Sequence, residues 1–233
     1  MNFRTAASTL SLVCILIIAP SMVFAQSVDR RLYQDAENRF RAKDYEVALQ
    51  KYAELIDTFP LSSYVPDAQF RRGVSLFRLD RTAEALEVFY LVESKHRSTS
   101  FLPFVPFWIG VISYNEKDYI NATANLKRYL DGGESSLVGQ AHLFVAISEN
   151  ELGRTGDAIT YLEAMDAAAI EEAPYAIPLL ASLYVREKQY QNVLDLVSEH
   201  PVFNVSFEDR IRVYLYEAEA LWNLGSKEAA AVI

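Results

Sequence analysis

Three histidines, His96, His142 and His200, and a single cysteine, Cys14, are the side chains of this chain best suited to hold a metal or to attack a substrate. Two zinc ligands on one helical face stand three or four positions apart, as in His-x-x-x-His, and no pair of these residues has that spacing. Adjacent carboxylates occur at Glu171-Glu172 and Glu217/Glu219. A general acid and base, however, require a pocket that drives their two pKa values apart, and paired acids on a helix ordinarily form a solvated face. The sequence contains no Gly-x-Ser-x-Gly elbow, phosphate-binding glycine loop or dinucleotide fingerprint. No catalytic residue, cofactor or metal site is expected, and the chain reads as something other than an enzyme.

The elements that would position such side chains show a regularity of their own. A small residue followed twelve positions later by a second one recurs as Ala36/Ala48, Gly73/Ala85, Gly110/Ala122, Ala146/Ala158, Ala181/Val193 and Ala218/Ala230. Successive first members lie 35 to 37 residues apart, and a period between about 20 and 50 residues marks a stacked repeat. Two antiparallel helices joined by a short turn approach closely only where both contact positions lack bulk. Each copy therefore reads as a helical hairpin. Around the first pair stand Phe40, the turn Lys43-Asp44-Tyr45, Tyr52 and Pro60, and the third copy repeats this as Tyr114, Lys117-Asp118-Tyr119 and Leu126. The second copy has Phe77, Asp80-Arg81-Thr82 and Phe89.

These residues resemble the tetratricopeptide repeat (TPR), whose small residues, aromatics four positions away and closing proline follow a 34-residue period. The resemblance covers residues 29–233 and implies an all-α fold, a right-handed superhelical solenoid of antiparallel hairpins. Its six units would span 29–62, 66–99, 103–136, 139–172, 174–205 and 207–233, the last of them incomplete, so the chain is expected to be a fragment of a longer repeat protein. The long turn from Pro60 to Ala68 resembles bacterial envelope members of the family, of the kind found as the helical-repeat lipoprotein of the barrel-assembly machinery and the periplasmic coordinator of the Tol system.

Residues 1–25 are a different kind of sequence. Arg4 precedes an apolar run from Leu10 to Ala19, and Val23-Phe24-Ala25 is a small-residue cleavage pattern. This predicts a secretory signal peptide cut after Ala25, because the run is shorter than the ~20 residues of a membrane span. Cys14 lies inside the apolar run and lacks the small neighbour that lipidation requires, so cleavage leaves no cysteine for disulfides or thiolate ligands. The formal net charge of −9 disfavours nucleic acid and anionic lipid as partners.

What remains is recognition of a protein or peptide along the face that the first helices of the hairpins line. Counting from the small pairs, the expected groove residues are Phe70, Val74, Arg78, Phe107, Val111, Asn115, Leu143, Ile147 and Glu151, an apolar stripe with a polar rim that suits a peptide. Phe70, Phe107 and Leu143 equally fit packing between hairpins. The resemblance also covers chaperone-binding members that clamp a carboxylate with lysine and asparagine, but Tyr33, Glu37, Phe70, Val74 and Phe107 occupy those positions here. The functional expectation is a non-catalytic exported scaffold in the periplasm or at the outer membrane, with outer-membrane complexes among its expected associates. The alternative is a structural, multimerising N-terminal arm of a longer envelope protein.

Overall fold

A computed structural model describes residues 28–133, 136–165, 169–170, 174–200 and 205–232. The expected signal peptide and the Glu171-Glu172 pair lie outside the described residues. All regular structure among the described residues is helical. Residues 28–41 form α1, followed by α2 (Tyr45–Thr58), α3 (Val65–Arg78), α4 (Thr82–Lys95) and, after a short 3-10 turn at Leu102–Phe104, α5 (Val105–Asn115). Then come α6 (Tyr119–Asp131), α7 (Val138–Glu151), α8 (Thr155–Glu163), α9 (Ala176–Arg186), α10 (Tyr190–Glu199), α11 (Phe207–Asn223) and the short α12 (Lys227–Ala230). The chain divides into two compact units, one ending at Trp108 and one beginning at Ile109.

Each hairpin turns in the same way. The residue seven positions after the first small residue adopts left-handed backbone: Lys43, Asp80, Lys117, Gly153, Lys188 and Gly225, with φ between 59 and 88. Its N–H donates to a carbonyl three residues back, and the next N–H donates to one five back, as in Asp44 to Arg39, Arg81 to Leu76 and Gln189 to Tyr184. That pattern is the Schellman closure, which satisfies carbonyls a helix end would otherwise leave orphaned. The residue after the left-handed one is also the N-cap of the second helix, and at Asp118 the carboxylate accepts the Asn121 N–H.

The small pairs lie where the helices touch. Ala36, Ala48, Ala85, Ala122, Ala146, Ala158, Ala181 and Val193 are fully buried. At Gly73 an added Cβ would stand 2.9 Å from the Phe89 ring, and at Gly110 it would stand 2.6 Å from Leu126 Cγ. The aromatic or leucine four residues after the second small position therefore fills the space that the glycine leaves, which is close packing without a void. The last pair departs from this: Ala218 and Ala230 are only half-buried, and Ala220 is the alanine of α11 that is fully covered.

In the first unit, Ala36, Ala48, Tyr52, Leu55 and Ala68 form one apolar cluster, and α3 packs against both α2 and α4. In the second unit, α7 packs against α6 and α8, and α11 packs against α9 and α10. A core there runs from Ala146 through Leu162, Leu180 and Leu196 to Val213 and Ala220.

Candidate functional site

In the first unit the first-helix face is filled by the protein's own side chains. Phe70 and Val74 are 3% and 4% exposed, and Phe107 is 3% exposed. The Phe70 ring stacks on Phe101 at 4.8 Å and meets Phe89 edge-on at 5.8 Å. At the next residue, Arg71 Nε lies 3.1 Å from a Glu37 carboxylate oxygen, and the same oxygen accepts the Tyr52 hydroxyl at 2.5 Å. The Arg71 guanidinium also sits over Phe40 at 4.8 Å and Phe101 at 4.4 Å. Burial, reinforced by Glu37, pushes the Tyr33 and Tyr52 hydroxyls well above their usual range, so both stay neutral donors. Arg78 is exposed, but it leans over Trp108 at 5.6 Å.

In the second unit Val111 is also buried, at 6% exposure. Leu143 is half-buried and packs on the core, and Asn115 is exposed. Ile147 and Glu151 have a different setting. They line an open cavity of about 430 Å³ together with Tyr114, Asn150, Tyr175, Pro178, Leu179, Ser182, Asp209, Arg212 and Tyr216. These residues come from the end of α5, from α7, from α9 with the residue preceding it, and from α11, all first helices of hairpins. Of the nine residues expected from the sequence, the cavity brings together Ile147 and Glu151.

The remaining lining residues follow the same register one or two periods on. Ser182 stands one position after Ala181, as Ile147 stands one after Ala146, and Tyr114 and Asn150 each stand four after their small residue. A register carried past the fourth hairpin reaches them, and what it leaves undecided is which faces stay open. Position and size explain the difference: where Phe70 and Phe107 fill three positions before the small residue, Pro178 stands in the second unit.

The cavity is apolar on its floor, where Ile147, Pro178 and Leu179 lie, and aromatic at Tyr114, Tyr175 and Tyr216. Tyr175 is 64% exposed. Tyr114 packs on Phe144 at 4.9 Å, and burial raises its hydroxyl pKa, helped by Tyr119 and Glu151. Asn150 Oδ1 accepts from Arg186 Nη2 at 2.5 Å, which fixes the amide. Arg212 is held by Asp209 at 3.1 Å and Glu208 at 2.6 Å. Apolar bodies with polar tips in a concave site match the anatomy of peptide and small-ligand pockets.

Among the described residues, no group of three or more histidines, cysteines or carboxylates is placed to hold a metal ion. No helix among them is long and apolar enough to cross a membrane. His142 lies apart from the cavity, with Nδ1 3.1 Å from the Tyr161 carbonyl.

Residues 67–98 match the sequence pattern of the tetratricopeptide repeat. None of the curated proteins matches the chain in sequence. Among solved structures, PilF of Pseudomonas aeruginosa is 14% identical with a TM-score of 0.58, over 89% of each chain. PilW, described as a widely conserved type IV pilus biogenesis factor, is 19% identical with a TM-score of 0.58, over 88% of this chain and 89% of its own. MamA of Desulfovibrio magneticus RS-1 is 17% identical with a TM-score of 0.56, over 73% of this chain and 92% of its own. At such identities the likeness carries the fold, and together with the match at residues 67–98 it makes this an all-α chain of the tetratricopeptide-repeat fold, whose second unit opens a groove on its first helices.

Proposed function

We propose that this chain is a non-catalytic scaffold that holds a peptide segment of a protein partner in the groove of its second unit. The observation that carries this reading is the open cavity of about 430 Å³ on the first-helix face, with its apolar floor, three tyrosines and a rim of Asn150, Glu151 and Ser182. Apolar side chains of the segment enter between the tyrosines, while its backbone or a cationic group meets Asn150 and Glu151. We further place the protein outside the cytoplasm, in the periplasm or at the outer membrane. The signal-like pattern of residues 1–25 supports that placement, and the shared fold of PilF and PilW agrees with a role beside envelope machinery.

A photo-crosslinking residue placed at Glu151 or Ser182 is expected to capture a discrete partner from envelope extract, and one placed at Tyr90, exposed on α4, is not. Tyr216→Ala with Ile147→Asp should abolish the capture at Glu151 while helical circular dichroism is retained. Equal capture from Tyr90, or capture that survives the double variant, would defeat the groove reading.

A further inference from the structure

Hydrogen-bond donors and acceptors are unevenly matched in the groove of the second unit. Asn150 Oδ1 is taken by Arg186 Nη2 at 2.5 Å, which leaves Nδ2 as a donor with no acceptor among the described residues. The hydroxyls of Tyr114, Tyr175 and Tyr216 likewise bond to none of the described residues. Ser182 gives its proton to the Leu179 carbonyl at 2.7 Å, so toward a ligand it can only accept. Apart from the phenol oxygens themselves, the donors therefore face one neutral acceptor, Ser182, and one charged acceptor, Glu151.

Charge is uneven as well. Arg212 is held by Glu208 and Asp209, whereas Glu151 is exposed and pairs with no cation among the described residues. Among the charged lining residues, Glu151 and Asp209 outnumber Arg212. A cation on the ligand is the complement of this lining.

Peptide conformations differ in what they bring to such a surface. A β-type segment presents an N–H for every carbonyl, and a helix keeps both for itself. A proline-rich segment presents carbonyls without N–H groups at its prolines, in a polyproline II helix with no internal hydrogen bonds. Its pyrrolidine rings are compact apolar bodies that dock in aromatic-lined grooves, and its shape is set before binding, so little ordering is required of it. The lining meets these demands. Its tyrosines come from three hairpins over a floor of Ile147, Pro178 and Leu179. Tyr114 is braced by Phe144 at 4.9 Å, and Tyr175 is 64% exposed.

We propose that the segment held in this groove is proline-rich and bound as a polyproline II helix. Its prolines pack among the three tyrosines, its carbonyls accept from Asn150 Nδ2 and the tyrosine hydroxyls, and a flanking arginine or lysine pairs with Glu151. This rests on the peptide reading of the second unit and narrows it to one ligand chemistry.

The probe is a fluorescein-labelled synthetic peptide with a run of prolines between two arginines, titrated with the full chain and read by anisotropy. It is expected to bind, and an analogue with alanine for every proline should bind roughly tenfold more weakly, the scale of an aromatic contact. Tyr175→Ala, at an exposed position, should lose about as much affinity for the proline peptide with an unchanged helical signal. Exchanging the two arginines for glutamates should weaken binding about threefold or more in the wild type, and this preference should vanish in Glu151→Gln. Absence of binding by the proline peptide, equal or tighter binding of the alanine analogue, or a charge preference that survives Glu151→Gln would overturn the proposal. Photo-capture of a partner at Glu151 and Ser182 by a protein that ignores the proline peptide would remove this inference and leave the peptide reading standing; absence of both would remove both.

Discussion

Among the described residues, Glu149 is the carboxylate that stands with the largest fully buried side chains, at 0% exposure, and two cations reach it from the surface. Lys127 Nζ lies 2.5 Å from one oxygen and Arg154 Nη1 3.0 Å from the other, with their own side chains 35% and 52% exposed. Burial pulls the Lys127 pKa down, but the hydrogen bond and charge of Glu149 outweigh it, and the ammonium ends above its ordinary value. Removing one partner of a buried charge costs more than replacing the charge with an apolar group of similar volume. Lys127→Ala leaves Arg154 as the remaining cation on Glu149 and should therefore lower stability by less than the ~3 kcal/mol of a fully unpaired buried charge, whereas removing Lys127 and Arg154 together should cost about that much and more than Glu149→Leu, as read by urea denaturation. His142 makes a second prediction. Burial lowers its pKa below the free value, and the bond to the Tyr161 carbonyl only partly offsets this. As pH falls through about 6.5 the unfolded chain takes up the proton before the folded one, so stability falls toward acid. Urea midpoints measured from pH 7 down to 5.5 should drop more steeply in the wild type than in His142→Gln; parallel curves would contradict the assignment.

The hairpin turn is the element on which the repeat depends, and its left-handed residue carries most of the constraint. Left-handed backbone costs an L-residue roughly 1–2 kcal/mol, and glycine avoids that cost. Gly153, at φ 75, has nothing within 4 Å of an added Cβ, so Gly153→Ala isolates the backbone term. Three residues on, Gly156 is the second residue of α8, in its first turn, with equally open surroundings and no positive φ. The same change should act with opposite sign at the two sites: Gly153→Ala loses about 1 kcal/mol, and Gly156→Ala, in the first turn of its helix, gains about 0.4 kcal/mol by restricting the unfolded chain. Thermal melts of the two variants decide this, and equal shifts in one direction would refute it. Lys43, Lys117 and Lys188 hold the same conformation with a side chain, which the Schellman bonds evidently sustain.

At the scale of the whole molecule, each hairpin buries its apolar face against its neighbours, so stability is a sum of local terms and damage stays local. The two compact units sharpen this. Lys127→Ala lies in α6, and hydrogen exchange should accelerate in α6, α7 and α8 while α2, α3 and α4 keep their protection. Uniform loss across all six helices would mean that the chain unfolds as one cooperative body.

The small-residue register in the sequence determined the helical class and, in the first five hairpins, the places where helices touch, because contact between two helices admits only certain volumes. It also put Ile147 and Glu151 on the first helix of their hairpin, where both line the cavity. It could not tell a filled face from an open one. Phe70 and Phe107 occupy the same register position as Leu143 and Pro178, and whether such a position is core or groove depends on what the neighbouring segments bring against it. Phe101 closes the first unit's face over Phe70, while Tyr175, Pro178 and Tyr216 leave the second unit's face open. Glu149 shows the same limit, since nothing in its local sequence marks it as buried, and only packing brings Lys127, 22 residues away, to neutralise it. The pattern along the chain fixed which residues share a face. Tertiary packing decided which of those faces a partner can reach, since burial depends on contacts distant in sequence.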